Sequence, residues 1–201
     1  MKTLHFIRNQ QVKTKDVPNL CLSDFIAPLP YKDYIGLFAV TTGIGLEKWE
    51  AYYKSKNDDY SYILFKLLAD RLAEAFAELL HFRLRTEYWA YSPDEKFQIE
   101  QILKNNYRGI RPAPGYPACP DHSEKLIIFD LLDVENNIGI SLTENYSMYP
   151  ASSVSGYYFS HPASRYFNIE KISNDQVKSY AQRKQITEND VEIYLPSNIN
   201  F

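Results

Sequence analysis

The chain has 201 residues, is 45% hydrophobic and carries a formal net charge of -3, enough for one domain with a sizeable core and too little for two of ordinary size. Its basic residues are dispersed, which argues against nucleic acid as a partner, because a phosphate backbone needs concentrated positive charge. No run approaches the roughly 20 apolar residues of a membrane span, and Met1-Lys2-Thr3-Leu4-His5 lacks a signal peptide's apolar segment, so a cytoplasmic protein without membrane partners is expected.

Residues 1–30 are irregular, ending in Ala27-Pro28-Leu29-Pro30, where proline disfavours helix. Tyr34 to Thr41 is an apolar run of strand formers, stopped by Thr42-Gly43, and a helix is expected over Leu46 to Lys56. Asn57-Asp58-Asp59 offers a cap to a long helix, in which Leu64, Leu68, Leu72, Phe76, Leu79 and Leu80 recur at helical spacing to about Arg85. Ala69, Ala73, Ala75 and Ala77 along it would let a backbone or ligand approach closely. A shorter helix is predicted from Phe97 to Asn105.

Tyr107 to Pro120 holds four Pro and two Gly and reads as loop. Asp121-His122-Ser123-Glu124 has the form of a capping box opening a helix to about Leu132. Strands are expected over Ile140 to Ser147 and Val154 to Ser160, joined across Met148-Tyr149-Pro150, followed by helices near Asn174 to Lys184 and Thr187 to Tyr194. Helices and strands come in segregated groups, which predicts an α+β fold with an antiparallel sheet. Cys21 and Cys119 read as reduced thiols. The 17 tyrosines suit half-buried cavity walls, although strand propensity alone accounts for them equally well.

Three features bear on chemistry. The loop from Arg108 to Pro120 is long and stiffened by proline, a combination that lowers the ordering cost of binding. Arg111 offers a bidentate fork for a carboxylate, the carbonyls of Pro112, Ala113 and Pro114 are possible acceptors, Gly115 permits close backbone approach, and Tyr116 can wall a cavity. Asp70 and Glu74, one turn apart on the long helix, repel each other mildly. Taken alone, that pair reads as a solvated face balanced by Lys66. Cys119-x-x-His122 has no second pair at ligand spacing, so zinc is not expected. His161 lacks an identifiable nucleophile beside it, and no phosphate loop, dinucleotide fingerprint or serine elbow occurs.

Arg111-Pro112-Ala113-Pro114-Gly115-Tyr116-Pro117-Ala118-Cys119-Pro120, Ala69-Asp70-Arg71-Leu72-Ala73-Glu74-Ala75 and Val154-Ser155-Gly156-Tyr157-Tyr158-Phe159-Ser160-His161-Pro162 resemble one family. Asn19-Leu20-Cys21-Leu22-Ser23-Asp24-Phe25, Asp33-Tyr34-Ile35-Gly36 and Leu142-Thr143-Glu144 support the match. The resemblance is to the S-adenosylmethionine (AdoMet)-binding activation domain of cobalamin-dependent methionine synthase, and it runs from about Leu4 to the C-terminus. It implies a C-shaped single domain over residues 1–201, with a twisted antiparallel β-sheet and flanking helices, shortened at its start relative to the family.

The implied task is reductive methylation of cob(II)alamin to methylcobalamin, as part of a methyltransferase enzyme. AdoMet would supply the methyl group, a flavodoxin or equivalent donor the electron, and a cobalamin-binding partner domain the corrinoid. Carried over by position, Arg111 would bind the AdoMet carboxylate, while Ala113, Gly115 and Tyr116 hold the adenosyl part, with Tyr116 also near the corrin. Glu74 and Tyr166 match further AdoMet positions. Asp70 matches a residue that receives a histidine of the cobalamin domain. The family's upstream AdoMet-contacting Asp lies before the matched region. A non-catalytic docking or regulatory module for a corrinoid protein is the alternative. An independent AdoMet methyltransferase ranks last, for want of a Gly-rich strand-to-helix turn.

Overall fold

Phe38, Val40 and Thr41 favour extended backbone, and strand β1 (Gly36–Thr41) forms there, starting two residues later than predicted. Helix α1 (Leu46–Ser55) follows the Thr42-Gly43 break. The computed structural model describes residues 1–199 and bears out the mixed α+β class. Among those residues no helix is long and apolar enough to cross a membrane.

Helix α2 (Asp59–Arg83) opens at Asp58, whose carboxylate accepts the Ser61 N–H at 3.0 Å. Asp59 then stands in the first turn, where its charge complements the positive end of the helix. The α-helical geometry gives way to a π-helical turn over Leu84–Tyr88. Arg85, fully buried in that turn, forks onto Glu95 at 2.7 Å through two nitrogens and stacks on Tyr107 at 3.8 Å. Pairing and stacking together offset the desolvation of its charge.

The inward side of α2 is not its leucine stripe. Ala73 is 1% exposed and Ala69 and Ala77 are buried, while Leu68 and Leu72 remain 54% and 51% exposed. The buried positions of α2 are Ala69, Ala73, Ala77 and His81. Helix α1 packs against α2, with Trp49 and Tyr53 both meeting Phe65 at ring-centroid distances near 6 Å, 6.1 and 5.9 Å respectively.

Helix α3 (Ile99–Leu103) is shorter than the Phe97–Asn105 prediction. A 3-10 turn over His122–Glu124 leads into α4 (Lys125–Leu132), then α5 (Val134–Ile138). Only half of the expected capping box forms: the Asp121 carboxylate accepts the Ser123 N–H at 2.7 Å. Glu124 turns instead toward His5, whose backbone N–H it accepts at 2.9 Å.

The strand predicted over Ile140–Ser147 is largely replaced by a tight hairpin. Strand β2 (Ser141–Leu142) pairs antiparallel with β3 (Met148–Tyr149), so the expected connection is itself a strand. Strand β4 (Ser153–Tyr158) pairs with β1. Helices α6 (Asn174–Lys184) and α7 (Glu188–Tyr194) match their predictions, with Thr187 and Asp190 forming a reciprocal cap on α7.

The chain divides into two compact units. The first comprises Met1–Gly36, Arg108–Ile127 and the residues from Gly156 onward, with a core of Ile7, Ile169, Val177, Tyr180, Val191 and Leu195. The second comprises Leu37–Tyr107 and Ile128–Ser155. Both cysteines are free and buried, and burial pushes the Cys119 thiol well above its ordinary pKa.

Candidate functional site

Proline sets where the 108–120 loop leaves the sheet. Ile110 exchanges two backbone hydrogen bonds with Phe159, both 3.0 Å, and Pro112 O accepts the Tyr157 N–H at 2.9 Å. Having no N–H, Pro112 donates nothing in return, and the chain departs. Ala113 O accepts from Tyr116 N at 3.2 Å, Gly115 N–H donates to Cys119 O at 2.7 Å, and Cys119 N–H donates to Tyr116 O at 2.9 Å. Gly115 has φ +94°, a conformation that penalises a side chain. The far end is tied down by Ile169 N–H, which donates to Pro117 O at 2.9 Å.

The result is a short, hydrogen-bonded excursion in the first unit. The backbone N–H of Arg111 donates to the Tyr166 hydroxyl at 3.1 Å, bringing the sequence-distant Tyr166 to the loop. At 58% and 46% exposure, Tyr116 and Tyr166 present their rings to solvent or a ligand. Pro112 and Pro114 are buried, and Arg111, Ala113 and Gly115 are half-buried. Two of the three carbonyls expected as ligand acceptors, those of Pro112 and Ala113, are already engaged within the protein.

Asp70 and Glu74 belong to the second unit, on α2. The Ser152 hydroxyl donates to Asp70 Oδ1 at 2.6 Å, and one residue before, Ala69 O accepts from Thr42 Oγ1 at 2.7 Å. Lys66 pairs with Glu50 at 3.9 Å and lies over the Tyr62 ring. The acid pair is therefore not simply a face neutralised by Lys66. The seven expected site residues thus fall into two sets: Arg111, Ala113, Gly115, Tyr116 and Tyr166 in one unit, Asp70 and Glu74 in the other.

One polar cluster had no counterpart in the sequence reading. Lys184 donates to Asp121 at 2.7 Å and to Glu124 at 2.6 Å, and the Tyr180 hydroxyl donates to Asp121 at 2.7 Å. Burial works against ionised Asp121, but Lys184 and hydrogen bonds from Ser123 and Tyr180 outweigh it and lower its pKa. The cluster anchors the segment directly after the loop. Its only local signal was Tyr180 and Lys184 at one-turn spacing on α6. His161 serves a turn, its Nδ1 accepting from Ala163 N–H at 3.1 Å.

A family model described as vitamin B12 dependent methionine synthase, activation domain, matches residues 1–185. The crystal structure of the MetH reactivation domain bound to AdoHcy resembles the chain with a TM-score of 0.95 at 49% sequence identity. The match covers 98% of this chain and 61% of that one, so the chain spans about three fifths of the solved polypeptide.

Proposed function

The chain belongs to the activation-domain family of vitamin B12 dependent methionine synthases, and from that premise we propose that it binds AdoMet at the Arg111–Tyr116 loop and Tyr166. In this reading it serves reactivation of the enzyme. One electron from a reduced flavodoxin or equivalent donor and the methyl group of AdoMet convert cob(II)alamin, held by a partner domain, to methylcobalamin and leave AdoHcy. The cobalt and the sulfonium carry that chemistry, so the chain's own residues bind and orient.

The observation that carries the reading is the Arg111–Tyr166 clasp on a loop whose turn is hydrogen-bonded through Ala113, Gly115, Tyr116 and Cys119. Arg111 fits the amino-acid carboxylate of the ligand, because a planar guanidinium pairs with it through two parallel bonds. The exposed rings of Tyr116 and Tyr166 offer stacking surface to the adenosyl part. Asp70, oriented by Ser152, is assigned to a histidine of the cobalamin-binding domain. The AdoHcy bound in the similar solved domain supports the ligand class.

Calorimetric titration with AdoHcy tests the reading directly. Saturable heat that Arg111→Ala removes is expected. A folded sample giving no heat at millimolar ligand would sink it.

A further inference from the structure

Gly115 is required by more than its own dihedral angle. A Cβ at this position would overlap the imidazole of His122, so the loop backbone rests directly on that ring. The ring is itself held. Nζ of Lys125 lies 2.6 Å from His122 Nδ1, an arrangement in which the ammonium donates to the ring lone pair and the ring proton sits on Nε2. Lys125 is buried whereas His122 is exposed, so the support comes from the protein side of the ring. Asp121, tied to Lys184 and Tyr180, fixes the backbone from which His122 projects. Contacts therefore run without a gap from the buried charge cluster, through His122, to the turn of the loop.

We propose that His122 is a positioning residue for the ligand loop, its imidazole forming the seat that sets the path of Gly115 and Tyr116, with Lys125 locking the imidazole in place. The seat raises affinity by removing freedom that ligand binding would otherwise have to quench. Its functional half rests on the loop being the AdoMet-contacting segment, while its structural half does not.

Two readouts keep these halves distinguishable. The first is calorimetric titration with AdoHcy on the wild-type chain, His122→Ala, Lys125→Met, Gly115→Ala and the Gly115→Ala/His122→Ala double variant. The second is amide hydrogen exchange at Gly115, which donates to Cys119 O, referenced to Ile110, which donates to Phe159 O. His122→Ala is expected to weaken AdoHcy binding about five- to tenfold and to speed Gly115 exchange by a similar factor, roughly the worth of one lost contact. Exchange at Ile110 should not change.

Lys125→Met should lower affinity by about two- to threefold with no loss of thermal stability, a split that a purely structural residue would not produce. Gly115→Ala should cost less affinity and less Gly115-turn protection in the His122→Ala background than in wild type. There the overlap is gone and only the dihedral strain remains. Unchanged exchange in His122→Ala, or an equal Gly115→Ala penalty in both backgrounds, would overturn the seat. If the wild-type chain fails to bind AdoHcy, the AdoMet reading of the loop fails, and the exchange comparison still decides the seat.

Discussion

The hydroxyl of Tyr166 accepts a hydrogen bond from the backbone N–H of Arg111 at 3.1 Å, joining positions 55 residues apart. The bond holds main chain rather than guanidinium, so it fixes where the Arg111 side chain starts. Both partners are partly open to solvent, and water can replace the bond at modest cost. Tyr166→Phe should therefore lower stability by less than about 1 kcal/mol while weakening AdoHcy binding about fivefold. Thermal unfolding and calorimetry on the same sample separate the two effects.

Lys125 gives the protein an alkaline signature. Burial, the largest effect, pushes its ammonium down to about 8, against a smaller opposing influence of Cys119 and Asp121. Its neighbour His122 is also lowered, by burial first and then by the Lys125 charge. Between pH 8 and the ordinary lysine value of 10.5, the unfolded chain binds a proton at this site that the folded chain does not. Stability must then rise with pH across that window, and the charged lysine is a cost below it. Lys125→Met should stabilise the chain at pH 7 by about 1 to 2 kcal/mol and flatten the rise, which urea titrations at pH 7, 8, 9 and 10 would reveal.

The two sides of α2 predict opposite mutational outcomes at adjacent positions. Leu72→Gln acts on a side chain half in water and should cost under about 1 kcal/mol. Ala73→Leu inserts a branched side chain at a position only 1% exposed and should cost about 1 to 3 kcal/mol or more. Equal effects in chemical denaturation would contradict the orientation of the helix.

Local signals were legible wherever the cause was local. Asp58 caps α2 and the prolines keep 107–120 out of regular structure, because each effect acts within a few residues. Periodicity placed α2 correctly but not its inward face. The leucine spacing and the alanine spacing both repeat every helical turn, and only the surrounding tertiary packing decides which side is buried. The hairpin of Ser141–Leu142 with Met148–Tyr149 was missed for a related reason: two-residue strands carry too few side chains to establish an alternation.

By itself, the amino-acid sequence determined the α+β class, the helices other than α5, and the loop, since propensity, capping and proline geometry are properties of neighbouring residues. Its long motifs also carried the family resemblance, which the family match over residues 1–185 bears out. Only the tertiary structure decided that Tyr166 clasps Arg111, that Ser152 holds Asp70, and that His122 lies under Gly115 with Lys125 behind it. The first two pairings span 55 and 82 residues. The third joins residues near in sequence, but it depends on a turn and a buried ammonium whose positions the surrounding packing sets. Such contacts arise from how distant segments share one volume, which no local pattern of residues encodes.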